Sequence, residues 1–198
     1  MVLRGKFVEY AKQWLEENFV RTGVDGLPVI QSHNEMIAMQ IGIYFDSVAE
    51  RHSVTPVFIK GKYSGIDCEV ATKIKGIYQF GCEHPISGSM SVYFGSSDSN
   101  IRNRFNEHSR IIVTGKTTGK QSDAIARQWA PKHGNALEYA YCSYFPLNLP
   151  QSRLRDIESI LTKHMKNVYG SDVLNIATKP MLTKVKKDKT PALSGLDI

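Results

Sequence analysis

Two runs rich in β-forming residues, 75–81 and 90–95, flank a loop that holds Pro85, Ser87, Gly88 and Ser89. Strand formers on both sides of such a turn-prone segment predict an antiparallel hairpin in mid-chain. The flanking periodicities narrow the fold further. Ile101 and Phe105 stand four apart among polar residues over 99–110. Leu154, Ile157, Ile160, Leu161, His164 and Met165 form one stripe over 153–168. Both stretches therefore read as amphipathic helices. Residues 122–129 read as a further helix closed by Pro131 and Gly134, and the aromatic-rich 137–145 as a strand. The order β-β-α-α-β-α predicts an α/β (α+β) fold, with a small, mostly antiparallel three-stranded sheet flanked by helices.

The N-terminal third has a different pattern. Phe7, Tyr10, Ala11, Trp14, Leu15 and Phe19 share one helical face over 6–20, opposite Lys12, Glu16 and Glu17. Gly23, Gly26 and Pro28 end this helix. Ser32-His33-Asn34-Glu35 has the spacing of a capping box, so a new helix starts there. Ile37, Ala38, Ile41, Gly42, Ile43 and Val48 then fit a helix-turn-helix, with the turn at Gly42. Its second helix, from about residue 45 to 52, would present Asp46, Ser47, Glu50 and Arg51 outward, where such proteins meet the major groove. Ser47 and Arg51 are the DNA contacts expected from it. Residues 55–63, around Gly61, suit a wing-like hairpin.

Charge divides the chain at about the same place. Residues 1–70 carry 7 Lys and Arg against 9 Asp and Glu, while the rest carries 18 against 10. The overall charge of +6 is therefore concentrated after residue 70, as expected for a polyanion-binding region. Lys179, Lys184, Lys186, Lys187 and Lys189 lie in a terminal stretch without apolar periodicity, read as a basic tail over 179–198. The expected organisation is a helical DNA-recognition module over 1–70, a basic α/β domain over 71–178 and this tail. Cys68, Cys82 and Cys142 are odd in number and include no C-x-x-C pair, which argues against a disulfide framework or a structural zinc site. No secretory leader and no run of about 18 apolar residues is visible, so a cytoplasmic protein with no membrane partner is expected.

Gly76-Ile77-Tyr78 and Tyr93-Phe94-Gly95 stand on the two hairpin strands. The helix over 100–108 carries Arg104. The Lys132-His133-Gly134-Asn135 turn, Glu158, and Asn175-Ile176-Ala177 follow in order. Together these landmarks resemble the GIY-YIG nuclease family, closest in pattern to phage intron-encoded homing endonucleases, over about residues 74–177. A second Gly-Ile-Tyr triplet, Gly42-Ile43-Tyr44, has no Tyr-x-Gly strand at hairpin distance and is a coincidence.

The resemblance implies a site-directed, restriction-like or homing-like DNA endonuclease. Glu158 would hold one Mg²⁺, with Mn²⁺ as a substitute, and one carboxylate is an ordinary protein share for Mg²⁺. Arg104 would grip the scissile phosphate, since guanidinium is always charged and bidentate. Tyr78 and Tyr93 would position the attacking water and, in one case, deprotonate it. Asn175 would steady the site by hydrogen bonds. Arg102, His108, Lys116 and Lys120 are the further expected contacts to double-stranded DNA. One metal site cuts one strand, so a homodimer is the expected route to a double-strand break.

Three features depart from the family, the first being Phe94 in place of the usual isoleucine of the second tripeptide. Gln121 replaces a histidine of the homing branch, so the general-base role moves to a tyrosine, or to His108 or His133. The 79–92 connection is also long. A non-catalytic helix-turn-helix regulator on a degenerate nuclease scaffold is the competing expectation.

Overall fold

Strand β4 (Gly76–Glu83) is buried at every position but its last, because both of its faces are covered. A computed structural model describes residues 5–19, 33–47, 50–116, 123–134 and 137–175. Lys120, Gln121, Ile176, Ala177 and the basic tail lie outside the described residues. Strand β4 sits inside an antiparallel sheet of order β1-β6-β4-β5, with β1 (His52–Ser53), β5 (Met90–Ser97) and β6 (Ala140–Pro146). The expected β-β-α-α-β-α order is present as β4, β5, α3 (Ile101–Thr114), α4 (Asp123–His133), β6 and α5 (Gln151–Tyr169).

The sheet has four strands rather than the expected three. His52 and Ser53 pair with Cys142 and Tyr141 of β6, in a stretch expected to finish a recognition helix. The 79–92 connection is not a long loop either. Gln79 to Glu83 and Met90 to Phe94 are laddered strand, and the turn is only residues 84–89.

Alternation along the strands sorts two cores. One face presents Tyr78, Phe80, Cys82 and Tyr93 to Ile101, Phe105 and Ile112 of α3 and to Ile125 and Trp129 of α4. The other presents Ile77, Val92 and Phe94 to Leu154, Ile157, Leu161 and Met165 of α5. Phe7 and Ala11 of α1 (Lys6–Phe19) and Ala38, Met39, Ile41 and Phe45 of α2 (His33–Ser47) join this second cluster.

The turn expected at Gly42 for a helix-turn-helix is not formed, and Val48 of that pattern lies outside the described residues. Helix α2 runs unbroken through Gly42 and ends at Ser47. Gly42 is there for close approach and not for a turn: a Cβ at this position would lie 2.2 Å from Phe7 Cε1. Asp46, expected to face outward, is buried and accepts hydrogen bonds from the backbone N–H groups of Gly5, Phe7 and Val8, at 2.9, 2.9 and 3.3 Å. It caps the N-terminus of α1 from another helix. Periodicity found the helix, but the geometry of its partner decided what Gly42 and Asp46 do.

Residues 55–67 form a separate hairpin, β2 (Thr55–Ile59) and β3 (Lys62–Asp67), at the place where a wing was expected. It packs on α3, where Tyr63 Oη donates to Asn106 Oδ1 at 2.7 Å. Among the described residues, no helix is long and apolar enough to cross a membrane.

Candidate active site

The register of β4 against β5 sets Tyr78 opposite Gly95 and Phe80 opposite Tyr93. Opposed residues of an antiparallel pair project to the same face. The Tyr78 ring crosses β5 directly above Gly95, where a Cβ would lie 2.3 Å from both Cζ and Oη of the phenol. Gly76 is constrained differently: its φ is +142°, and a Cβ would lie 2.1 Å from the Phe145 carbonyl oxygen of β6. The two glycines of the paired tripeptides thus have separate physical jobs. Gly95→Ala is expected to push Tyr78 off its seat and lower stability by about 1–3 kcal/mol, as overpacking does. Thermal unfolding of the variant checks this.

Tyr78 Oη lies 2.9 Å from His108 Nε2, in a fully buried contact. Tyr93 meets the His108 ring edge-on at 5.0 Å, and Phe105 meets Tyr78 edge-on at 5.3 Å. His108 was expected at the DNA surface, and the structure corrects this. Ile101, Phe105, His108 and Ile112 form the inward stripe of α3, so His108 belongs to the tyrosine pair. Burial, with the nearby Arg104 charge, holds His108 down to about 3, so the imidazole is neutral. Its Nδ1 is buried with no hydrogen-bond partner.

A consequence for stability follows. The unfolded chain protonates this histidine near its ordinary 6.5, whereas the folded chain does so only near 3. Stability is therefore lost as pH falls through that window, by up to about 1.4 kcal/mol per pH unit for this group. Unfolding of the wild type from pH 7 to 5 should show a steeper loss than His108→Gln.

Burial also raises the Tyr78 phenol well above its ordinary value, and the charges of Tyr93 and Glu158 add to the effect. Tyr93 is raised by burial and by Glu158, while Arg104 acts in the opposite sense on both phenols. These couplings bring Tyr78, Tyr93, Arg104 and Glu158 into one electrostatic cluster. Neither phenol ionises at neutral pH without further positive charge.

Arg104 projects from α3 one turn before His108, with its side chain 42% exposed. Its Nη1 donates to Glu107 Oε2 at 3.0 Å. Burial opposes its charge, but the Glu107 bond and the two tyrosines more than offset this. Glu158 comes from α5, on the opposite layer, and reaches the end of β5. Its Oε2 accepts from Ser96 Oγ at 2.6 Å, and Gln151 Nε2 donates to the same Ser96 oxygen at 3.3 Å. Burial raises the Glu158 carboxyl, against the opposing effects of Ser96, Arg155 and Arg104. Glu107, Ser96 and Gln151 were missed in the sequence. Only the position of Ser96, directly after the Tyr-x-Gly tripeptide and facing α5, gave a signal.

Asn175 spends its whole amide on Phe94: Oδ1 accepts the Phe94 N–H at 2.8 Å and Nδ2 donates to the Phe94 carbonyl at 2.7 Å. It stands in for a strand partner along the outer edge of β5 and is a positioning residue for Tyr93 and Gly95.

The remaining expected contacts lie apart from the tyrosines. Arg51 is tied to Glu83 Oε2 at 2.7 Å and lies 4.3 Å over the Tyr141 ring. Its charge is held in a part-buried ion pair on the second face. Ser47 is exposed at the end of α2, Arg102 is partly exposed in the first turn of α3, and Lys116 is exposed just past its Gly115 cap. His133 accepts or donates at Ser91 Oγ, 2.9 Å away, and packs on Trp129.

Among the described residues, no three His, Cys, Asp or Glu side chains converge as a metal cage. The donor chemistry still suits Mg²⁺. Glu158 is one carboxylate whose charge burial leaves under-compensated, and Mg²⁺ takes one or two carboxylates, with waters and phosphate oxygens completing its shell. Comparison with protein-family models, curated proteins and solved structures found no match to this chain.

Proposed function

We propose that the chain is a metal-dependent phosphodiesterase acting on nucleic acid. More particularly, it is an endonuclease of the GIY-YIG type that cuts double-stranded DNA, in a restriction-like or homing-like role. One observation carries this reading: Tyr78, Tyr93, Arg104 and Glu158, drawn from two strands and two helices, form one electrostatic cluster around a buried Tyr78–His108 hydrogen bond. A structural role alone does not call for a half-exposed arginine and an under-compensated carboxylate beside two buried phenols.

The residues divide the work as follows. Arg104 binds the non-bridging oxygens of the scissile phosphate, with Glu107 fixing its orientation. Tyr93 and Tyr78 hold the attacking water. Water adds at phosphorus as the P–O bond to the leaving oxygen breaks, and that oxygen departs with a proton taken from solvent water. The proton lost by water passes to Tyr78 as that phenol hands its own proton to the neutral His108. A phosphate bound at Arg104 favours this uptake, because its charge offsets that of the arginine, which together with burial keeps His108 unprotonated. Glu158 would hold Mg²⁺, or Mn²⁺ in its place, and the bound cation would stabilise the charge that develops on the phosphate oxygens.

Two observations favour the nuclease over the competing regulator: α2 is continuous through Gly42, and Arg51 is paired with Glu83. The test is plasmid cleavage with Mg²⁺, with Mn²⁺ and with chelator. Wild type is expected to nick or linearise DNA only with metal. Arg104→Ala is expected to lower the rate about 10²–10³-fold, the scale for removing one transition-state donor. Absence of cleavage by the wild type with either metal would overturn the reading. A rate that rises with protein concentration beyond saturation of the DNA would reveal the homodimer expected for double-strand cutting.

A further inference from the structure

The β2–β3 hairpin has an unusual surface. Val57, Phe58 and Ile59 are consecutive and 38, 51 and 62% exposed, at the tip of an isolated two-stranded ribbon. Such a cluster is unfavourable in water unless it is used. Lys60 and Lys62 are exposed beside it, with Gly61 between them.

The tip is built to hold its shape. Lys60 and Gly61 both have positive φ, +50° and +74°, as a tight two-residue hairpin turn requires. Lysine is a rare choice at such a position, where Asn or Gly is usual, so its cation is kept at the turn at some cost in conformational energy. Phe58 packs edge-on to Tyr63 at 6.1 Å, and Tyr63 is anchored to Asn106. Asn106 is two residues from Arg104 and two from His108 on α3. The ribbon is therefore mounted on the helix that carries the phosphate-binding residue of the candidate site.

From this placement we infer that the hairpin is a DNA wedge: Phe58 and Ile59 insert between base pairs from the minor groove, while Lys60 and Lys62 hold the flanking phosphates. Apolar side chains that enter a base step unstack it and kink the duplex, and nearby cations are needed to keep the backbone close. A protein or lipid surface would also cover the apolar tip. The two lysines at the turn, and the mounting on the helix that also carries Arg104, favour DNA. This inference rests on the DNA reading of the neighbouring site.

The experiment uses the full chain and an end-labelled, mixed-sequence duplex of about 30 base pairs, the length over which a bend is readily measured. Energy transfer between the labels reports bending, and anisotropy reports binding. The variants are Phe58→Ala/Ile59→Ala and Lys60→Ala/Lys62→Ala, whose side chains are exposed, so thermal unfolding should be close to wild type. The wild type is expected to bend the duplex. The apolar double variant should lose the bend and bind at least about 10-fold more weakly, as loss of an intercalating anchor predicts. The lysine double variant should reduce the salt slope of binding by about 2, one unit for each phosphate contact.

Wild-type binding without a bend would overturn the wedge. So would bending that survives Phe58→Ala/Ile59→Ala, or hairpin-dependent binding to anionic lipid vesicles in place of DNA. The outcome is separable from that of the proposed activity. Bending without any cleavage leaves the wedge standing and removes the nuclease. Cleavage unaffected by the apolar double variant, with no bend, does the reverse.

Discussion

Glu158→Gln is expected to eliminate metal-dependent cleavage while leaving the protein as stable as the wild type or more so. The amide keeps the shape of the side chain and an oxygen for the Ser96 hydroxyl, 2.6 Å away in the parent. It removes the negative charge that would hold Mg²⁺. Stabilisation of developing phosphate charge by a metal amounts to several kcal/mol, so the rate should fall by about 10³-fold or more. Stability moves the other way because burial raises this carboxyl above its ordinary value, in excess of the favourable effects of Ser96, Arg155 and Arg104. A group of this kind contributes its stability in full below the unfolded-state value, and the contribution is lost as pH rises through the folded-state value. Once ionised, a carboxyl raised in this way is a burden on the fold, and glutamine relieves it. Cleavage rates and thermal unfolding at pH 7, measured on one preparation, check the two halves together. A variant that loses activity because it unfolds would contradict the assignment.

Asp46→Ala is expected to produce the opposite pattern, a large loss of stability with an intact site. The carboxylate accepts from three backbone N–H groups at the start of α1 and from the Tyr169 hydroxyl. Alanine leaves those donors buried without an acceptor and removes a negative charge from a helix N-terminus. Together these should cost about 3 kcal/mol, which lowers Tm by about 6–12 °C in a chain of this size. Asp46→Asn should recover roughly half, since an amide oxygen still accepts. Calorimetry of the three proteins tests this. Below the unfolding range, cleavage should be unchanged, because Asp46 lies against the sheet face opposite the one from which Tyr78 and Tyr93 project.

These two residues also show how far the sequence could be read. Glu158 was singled out because the paired tripeptides, Arg104, Glu158 and Asn175 follow in a fixed order, and order survives in a linear string. Asp46 was legible only as a polar residue on a helix, and it was assigned to the wrong surface. His108 was misplaced for the same reason: spacing put it on α3, but only the packed α3 showed that its inward stripe includes position 108. Gly42 looked like a turn because glycine permits one. It proved to be a contact point for Phe7, thirty-five residues earlier in the chain.

The sequence by itself determined the kinds of element and their succession in the second part of the chain. Side-chain direction repeats every two residues in a strand and every 3.6 in a helix, so apolar periodicity is written locally. The tertiary structure decided the fourth strand, the continuity of α2, the union of α1 and α2 with the α5 face, and the enclosure of His108 between two tyrosines. Each of these depends on groups far apart in sequence that desolvate one another, and a residue's burial, charge state and hydrogen-bond partners exist only once that packing is complete.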